Sequence, residues 1–336
     1  MYNKNIYNKI GIIYNEPVSS GDFKESSQDI LLQVEAVEES LYKLHKNPVR
    51  IPFTRNVGDF IKKIEKEKVK MCFNLCETVD ENPFFISHPA SILELLGISF
   101  SGSSSSALML STDKLIAKRL IESSDMITPS YVLYNENEPA DFSNLKFPVI
   151  AKPRFEDASI GIDQESIFHD EVELEKRIKN FYDRFGEIIV EEYIQGREFN
   201  LSLFGYPAPK VLPIAEIDFS SFPNNLHKIV GYSAKWDKNS FEYNNTPRIF
   251  PENLSNVLET KMDLIAQSCF NLFMIRDYAR IDMRVNSSGD IYILEINANP
   301  CLSPDAGFFA AAEKSGLTYP KMIELFLSFM SQRNDK

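Results

Sequence analysis

Alternating apolar and polar positions mark the segment from Ala279 to Pro300 as a pair of strands. Residues 279–285 and 291–297 each alternate at the two-residue period of a strand, and the residues between them favour a turn. With a four-residue loop at 287–290, each residue of one strand faces a fixed partner on the other. The predicted pairs are Arg280 with Asn297, Ile281 with Ile296, Asp282 with Glu295, Met283 with Leu294, and Val285 with Tyr292.

The predicted hairpin has one apolar face and one face with two carboxylates, an amide and an arginine. Asp282 and Glu295 would lie about 5 Å apart, and carboxylates this close repel each other unless a cation lies between them. Mg²⁺, held by one or two carboxylates and by substrate phosphates, meets that demand. A surface hairpin with a charged outer face fits the spacing equally well. The exit Asn297-Ala-Asn299-Pro300 favours the metal site, because polar groups converge at the strand end.

In the first third of the chain, apolar strands alternate with amphipathic helices. The predicted strands are Lys9–Tyr14, Val49–Phe53, Lys70–Leu75 and Ile98–Ser101. One predicted helix begins at Gln28 or Asp29, and two others span Gly58–Lys66 and His88–Leu96. This alternation predicts an open parallel sheet, whose ligands bind at the carboxyl ends of the strands. Asn15, Glu16, Asn74 and Glu77 should therefore lie near a site.

The polar stretch Ser103–Ser106 predicts a domain boundary. Beyond it the predicted helices are Ala107–Ser123, Glu171–Phe181, Gly307–Lys314 and Lys321–Met330, and the predicted strands are Tyr131–Tyr134, Phe147–Lys152 and Glu187–Glu192. We therefore expect three units: residues 1–106 as a parallel-sheet substrate domain, 107–186 as a small α+β unit, and 187–336 as a mainly β unit with the metal site.

Composition excludes several classes of partner. The net charge of −12 argues against nucleic acid and anionic membranes. No apolar run approaches the roughly 18 residues that span a bilayer, and the N-terminal residues lack the apolar core of a signal peptide. The four cysteines are too scattered for a disulfide framework. We expect a cytoplasmic protein with small-molecule partners.

The pattern Arg-x-Asp followed by Leu-Glu-x-Asn-x-x-Pro resembles the magnesium-binding core of the ATP-grasp superfamily, with D-alanine–D-alanine ligases as the most similar members. The resemblance implies an α/β protein: an ATP-grasp fold with α+β central and C-terminal parts and a Rossmann-like N-terminal domain. It implies that Asp282, Glu295 and Asn297 hold one or two Mg²⁺ ions, with Mn²⁺ as a substitute. Arg280 would stabilise charge on the transferred phosphoryl group and on the tetrahedral intermediate.

Further motifs follow in the family's order. Ser111–Lys118 and Pro148–Pro153 are similar to the segments whose lysines touch the phosphates, and Ile188–Phe199 is similar to the adenine- and ribose-binding strand. Either lysine alone is more typical of ordinary surface charge, although the apolar residues before Lys152 favour a buried strand there. The ATP contacts that the resemblance implies are Lys114, Lys152, Glu156, Ala158, Ser159, Glu191, Glu192, Tyr193, Ile194, Glu198 and Lys235, the last as a catalytic lysine that closes over the γ-phosphate.

The chain departs from the family pattern where amino-acid substrates would bind. Only Glu16 is left to act as the catalytic, substrate-binding glutamate after the first strand. Ala158 replaces a serine, Trp236 a tyrosine and Cys301 a glycine. Asp305-Ala-Gly307 replaces the His-Ser-Leu segment that holds the second substrate's carboxylate.

Three functions are compatible with these observations. The first is an ATP-dependent ligase that joins a carboxylate to an amine through an acyl phosphate, with amino acids or a small peptide as substrates. The second is a true D-alanine–D-alanine ligase of cell-wall synthesis. The third is a catalytically idle ATP-binding regulator, although an idle site has no physical need for Asp282, Glu295 and Asn297 together. The oligomeric state stays open, with a homodimer as one possibility.

Overall fold

The computed structural model describes residues 8–17 and 23–334. The strands are β1 (Lys9–Asn15), β2 (Asn47–Phe53), β3 (Met71–Asn74), β4 (Ser99–Phe100), β5 (Tyr131–Tyr134), β6 (Val149–Pro153), β7 (Ile167–Phe168), β8 (Ile188–Glu192), β9 (Arg197–Gly205), β10 (Lys210–Val211), β11 (Ala215–Ile217), β12 (Arg248–Ile249), β13 (Asp277–Val285) and β14 (Ile291–Asn297). The helices are α1 (Lys24–Lys43), α2 (Val57–Glu67), α3 (Ser87–Leu95), α4 (Ser105–Thr112), α5 (Lys114–Glu122), α6 (Glu171–Phe185), α7 (Tyr232–Trp236), α8 (Phe241–Asn244), α9 (Asn256–Leu272), α10 (Gly307–Lys314) and α11 (Tyr319–Asn334).

The first sheet is parallel, as the sequence predicts, and its strand order is β2-β1-β3-β4. Its two inner strands, β1 and β3, are largely buried on both faces because helices cover both faces. Ile10 and Ile12 pack in a core with α1 and α11, whereas Ile13 packs in a second core with residues of α2 and α3. Asn15 and Asn74, at the carboxyl ends of adjacent strands, are both buried. Helix α1 begins at Lys24, earlier than predicted.

A smaller antiparallel sheet, in the order β5-β8-β6-β7, follows in the chain. Val149 and Val190 on its strands and Leu174 and Ile178 on α6 are buried in one apolar cluster. This packing fixes the direction in which Lys152 on β6 and Glu191 on β8 project.

The largest sheet has the order β12-β11-β9-β13-β14, with β10 paired to β9. Ile281, Met283 and Ile296 are completely or almost completely buried against a core that includes residues of α9. The even-numbered residues of β13 project to the opposite face. This sheet therefore places Arg280, Asp282 and Arg284 on one surface.

The hairpin of β13 and β14 confirms three of the five predicted pairs and contradicts two. Arg280 pairs with Asn297, Ile281 with Ile296 and Asp282 with Glu295, but Met283 pairs with Ile293 and Val285 with Ile291. A register shift after Asp282 leaves Leu294 as an extra residue, which is a β-bulge. The predictions for Leu294 and Tyr292 are therefore wrong, because strict alternation does not account for a bulge.

The predicted helix over residues 107–123 is wrong in one respect. Asp113 has extended backbone angles and separates α4 from α5, and its Oδ1 accepts a hydrogen bond of 3.0 Å from the Leu115 amide. Asp113 also accepts two hydrogen bonds from Arg154, of 2.8 and 2.6 Å. A capping carboxylate thus begins α5 at Lys114.

Within the described ranges, no helix has the length and apolar character needed to cross a membrane.

Candidate active site

A cavity of about 640 Å³ lies where the three sheets meet. The small sheet contributes Lys152 and Glu191, the large sheet contributes Arg280 and Asp282, and the end of β1 contributes Asn15. Most of the residues predicted to bind nucleotide or metal line this cavity. Those that do are Lys152, Glu156, Ala158, Ser159, Glu191, Glu192, Tyr193, Ile194, Glu198, Lys235, Arg280, Asp282, Glu295 and Asn297.

Asp282 is buried and is bonded on both carboxylate oxygens. The Arg280 guanidinium donates to Oδ1 and to Oδ2 at 2.8 Å each, the Asn200 amide donates to Oδ1 at 2.8 Å, and the Asn297 amide donates to Oδ2 at 3.3 Å. Burial disfavours the charged form of Arg280 and so acts to lower its pKa. The carboxylate of Asp282 has the larger effect, and the pKa of the guanidinium is raised. Asn200 was not predicted; it lies on β9, directly opposite Asp282.

Glu295 faces Asp282 across the hairpin and pairs with Lys114. The Lys114 ammonium lies 3.3 Å from Glu295 Oε1 and also donates a hydrogen bond to the carbonyl oxygen of Glu156. Lys114 lines a small annex that shares Glu295 and Asn297 with the main cavity. The two facing carboxylates are thus each neutralised by a cation of the chain itself.

Glu191 is buried between two lysines on the small-sheet side. Its Oε1 lies 2.5 Å from Lys152 Nζ, and its Oε2 lies 2.6 Å from Lys118 Nζ. Burial works to raise the pKa of Glu191, but the two ammonium groups outweigh it and hold this pKa at about 2. Burial, together with the charge of Lys152, lowers the pKa of Lys118 despite the pairing. Two cations share one anion, so the group carries a net positive charge that suits phosphate.

Glu198, predicted to bind ribose hydroxyls, is held by a residue that the sequence analysis missed. The buried Arg284 guanidinium donates to Glu198 Oε2 at 2.8 and 3.2 Å and to the Ile194 carbonyl at 2.8 Å. It also lies over the Tyr193 ring, 5.0 Å from the centroid. The sequence feature that could have indicated a role for Arg284 is its position on the polar face of the predicted hairpin.

The two loops predicted to close over the phosphates contact each other. Trp236 Nε1 donates to the Ala158 carbonyl at 3.0 Å, and Ser159 Oγ donates to the Val230 carbonyl at 2.7 Å. Ala158 and Ser159 both have positive φ, and a Cβ on Gly231 would lie 2.7 Å from the Ile162 carbonyl oxygen. These backbone contacts hold Lys235 against the cavity.

Glu16 is exposed and is not among the residues that line the cavity, so the structure does not bring it to the site. Glu77 lines the cavity instead, and its backbone amide donates to Asn15 Oδ1 at 3.1 Å. Burial raises the pKa of Glu77 to about 8; the Gln33 amide and Lys235 oppose this shift, whereas Asp29 and Asp157 add to it. The catalytic role of Glu16 stays a prediction.

Glu77 belongs to a polar chain that reaches the segment after Pro300. Gln33 donates to Glu77 Oε1 at 2.8 Å and accepts from the Leu302 amide at 2.9 Å, and Ser303 Oγ donates to Asp29 Oδ2 at 2.8 Å. The Cys301 thiol lies 3.1 Å from the same Asp29 oxygen, and burial raises its pKa well above the ordinary range. Cys301 is therefore a neutral thiol in a polar contact.

Comparison with known proteins assigns the chain to a family. The sequence model of the family described as D-ala D-ala ligase C-terminus matches residues 128–328, more than half of the 336-residue chain.

The chain belongs to the D-alanine–D-alanine ligase family.

Its relatives match it along most of their length. An uncharacterized protein of Sinorhizobium fredii, y4sG, is 31% identical over 265 residues, which cover 78% of this chain and 75% of that protein. The D-alanine–D-alanine ligase of Carboxydothermus hydrogenoformans is 27% identical over 328 residues, which cover 95% of this chain and 97% of that ligase. The crystal structure of the D-alanine–D-alanine ligase of Bacillus anthracis complexed with ATP has a TM-score of 0.76 at 22% identity and covers 98% of this chain and 99% of that one.

These matches confirm three predictions from the sequence. The fold is the ATP-grasp fold with an N-terminal parallel sheet, the family resemblance is correct, and the enzyme class is an ATP-dependent carboxylate–amine ligase that forms C–N bonds. The roles of the individual site residues, the metal and the domain limits stay predictions.

The oxygen atoms at the hairpin fit a magnesium ion that also has phosphate ligands. Among the described residues, no group of three or more histidines, cysteines and carboxylates lies close enough to hold a metal ion. Asp282 and Glu295 supply two carboxylates, and the amide group of Asn297 brings a carbonyl oxygen beside them. Two carboxylates with further oxygens from a triphosphate form the usual protein site for Mg²⁺.

Proposed function

We propose that the protein uses ATP to join the carboxylate of an amino acid to an amine through an acyl phosphate. The products are an amide, ADP and phosphate. The observation that carries this proposal is that a single cavity contains both a phosphate-compatible cationic group and an acidic pair suited to an amino group. Lys152, which lines the cavity and shares Glu191 with the buried Lys118, forms the first, and Glu77 with Asp29 forms the second.

On the nucleotide side, the apolar and carbonyl edges near Tyr193 and Ile194 suit a neutral adenine. Lys152, Lys114 and Lys235 suit the phosphates, and Lys235 lies in a segment that is hydrogen-bonded to the loop of Ala158 and Ser159 beside the cavity. Asp282, Glu295 and Asn297 would hold Mg²⁺, which neutralises phosphate charge when it is bound.

In the first step, a carboxylate oxygen of the donor attacks the γ-phosphorus, and the bond to the β-phosphate oxygen breaks. Arg280 stabilises the charge on the transferred phosphoryl oxygens through the guanidinium edge that does not face Asp282. The amine then attacks the acyl carbon and loses a proton, and phosphate leaves with the bonding electrons. Glu77 and Asp29 hold the amino group of the donor away from the reacting carbonyl.

The test is a screen for phosphate release with Mg-ATP and pairwise pools of D- and L-amino acids. At least one pool should raise release clearly above the ATP-only background, and chelation of Mg²⁺ should abolish the increase. Arg280→Gln should lower the increase by about 10²- to 10³-fold. Arg197→Gln is the matched control, because Arg197 pairs with Glu216 on the same sheet outside the cavity. No increase with any pool would contradict the proposal.

A true D-alanine–D-alanine ligase is the second candidate, and the curated relatives that carry that name favour it. Ala158, Trp236, Cys301 and Asp305 argue against it, because they replace groups that the family resemblance assigns to D-alanine. D-Alanine alone should therefore leave phosphate release near the background. Robust D-alanyl-D-alanine formation at millimolar D-alanine would make this second candidate the correct one.

A further inference from the structure

Arg248 lines the cavity but takes no part in the two proposed reaction steps. It lies on β12 at the edge of the large sheet, opposite Ile217, and both residues line the cavity. Its guanidinium packs against the first residue of α10: a Cβ on Gly307 would lie 3.1 to 3.3 Å from its Nη2, Nε and Cζ atoms. Glycine at position 307 thus leaves space for an arginine to reach the cavity from the sheet edge.

The guanidinium of Arg248 has no partner among the described residues. Its Nε is buried and makes no hydrogen bond, and no described carboxylate forms an ion pair with it. The other two arginines that line the cavity are each paired: Arg280 is held by Asp282 and Arg284 by Glu198. Arg248 therefore presents unused hydrogen-bond donors inside the site.

An unpaired guanidinium in such a place is costly, because its charge is partly removed from water. Burial lowers the pKa of Arg248, and the charge of Arg280 lowers it further, while Asp305 and Asp282 act in the opposite direction. The pKa of an arginine is so high that the group stays charged. A bound anion would remove the cost, and the planar fork of donors matches a carboxylate.

The charged neighbours of Arg248 indicate that this anion is not a phosphate group of the nucleotide. Lys152 is paired with Glu191 and Lys114 with Glu295, whereas the charges that act on Arg248 are Arg280, Asp305 and Asp282. Asp305 and Gly307 belong to the segment after Pro300, where the chain departs from the family's pattern for holding a carboxylate. A guanidinium beside a carboxylate is also the charge pattern that complements an amino acid.

We infer that Arg248 binds a carboxylate of the amine acceptor, so that the acceptor is an amino acid or peptide with a free carboxylate. This inference rests on the proposed function. It makes Arg248 a specificity-determining residue, with Gly307 as the residue that gives it room.

An internal competition between acceptors tests the inference. The enzyme, Mg-ATP and a donor pool are given equal amounts of an amino-acid pool and of the corresponding amino-acid amides, which lack the carboxylate. Mass spectrometry then gives the ratio of free-acid products to amide-terminated products, which depends neither on enzyme concentration nor on ATP binding. The wild type should favour free-acid products by about 10- to 100-fold.

In Arg248→Gln this ratio should fall toward one, and Arg248→Lys should give an intermediate value, because an ammonium keeps the charge but lacks the fork. Arg197→Gln should keep the wild-type ratio. A wild type without preference, or an Arg248→Gln ratio equal to that of the wild type, overturns the inference while the proposed function stands. The absence of any ligation product refutes both.

A second measurement separates binding from a structural role. Because Arg248 is unpaired, Arg248→Gln should leave the melting temperature of the ligand-free protein unchanged or raise it. A drop of several degrees, comparable with the loss of a paired arginine, would assign Arg248 to the framework of the fold and overturn the inference.

Discussion

The Arg280 guanidinium forms two parallel hydrogen bonds of 2.8 Å with the carboxylate of Asp282, two residues further along the same strand. The predicted charge-stabilising residue and the predicted metal ligand are therefore one ion pair in the ligand-free chain. A metal ion at Asp282 has to share its carboxylate with Arg280, so the position of the arginine depends on the occupancy of the metal site.

Asp282→Asn should lower both turnover and stability. The substitution removes one partner of a buried pair and leaves the Arg280 charge uncompensated, which costs about 3–5 kcal/mol in the free energy of unfolding. Glu295→Gln should reduce turnover strongly but cost less stability, because Lys114 keeps its bond to the Glu156 carbonyl. Urea unfolding and phosphate release measure the two effects. Wild-type activity in both variants would make the hairpin purely structural.

Glu77 should make the protein less stable as the pH rises from about 4.5 to about 8. Its pKa in the folded chain is raised by burial to about 8, from an ordinary value of 4.5, so the folded state binds more protons than the unfolded state in this window. The stabilisation is complete below the ordinary pKa and is lost as the pH passes the raised one. Urea midpoints across this range should fall less steeply for Glu77→Gln; parallel curves would contradict the assignment.

Glu191 should have the opposite effect at acid pH. Lys118 and Lys152 hold its pKa in the folded chain at about 2, below the ordinary 4.5, so its contribution is present above about 4.5 and is lost as the pH falls through 2. In acid titrations followed by circular dichroism, Glu191→Gln should show a shallower loss of stability over that interval. A Glu191→Gln slope equal to that of the wild type would contradict the assigned role of the two lysines.

The contact between the two loops should control access to the phosphates. Trp236→Phe removes the hydrogen bond to the Ala158 carbonyl, and Gly231→Ala places a methyl group against the Ile162 carbonyl oxygen. Both variants should be cleaved faster by a protease near residues 156–162 and 230–236, and saturating Mg-ATP should slow this cleavage. Ser159→Ala, which removes a second bond between the same loops, should behave similarly. Cleavage rates that are unaffected by either substitution would contradict the assignment of these loops as lids.

Local patterns predicted much of the fold and the metal-binding end of the site. The alternation in β13 and β14 was enough to place Asp282 opposite Glu295, because pairing near the strand exit follows directly from the period of two. Apolar runs separated by amphipathic helices were enough to predict the parallel sheet. In both cases the deciding information is the local order of apolar and polar residues along each element.

Features that depend on contacts between residues far apart in the sequence could not be predicted from local patterns. The break at Asp113 requires both a helix cap and the guanidinium of Arg154, and no local pattern indicates that Asp113 and Arg154 meet. The same holds for the difference between Glu16 and Glu77, which were both expected near the site: Gln33 and Asn15 hold Glu77 in the cavity, whereas Glu16 is exposed. The charge of Arg248 became informative only when its lack of a partner was visible.

The bulge at Leu294 has a consequence for how this site can change over evolution. Because two consecutive residues, Leu294 and Glu295, line the cavity from one strand, an apolar contact surface and a carboxylate are inherited together. Deletion of one residue here would restore the regular alternation of β14, so that an apolar side chain and the carboxylate would no longer both face the cavity. Most substitutions at Leu294, by contrast, would leave Glu295 in place. Changes in this part of the cavity surface should therefore proceed through exchanges of side chain at position 294, with the length of β14 held constant.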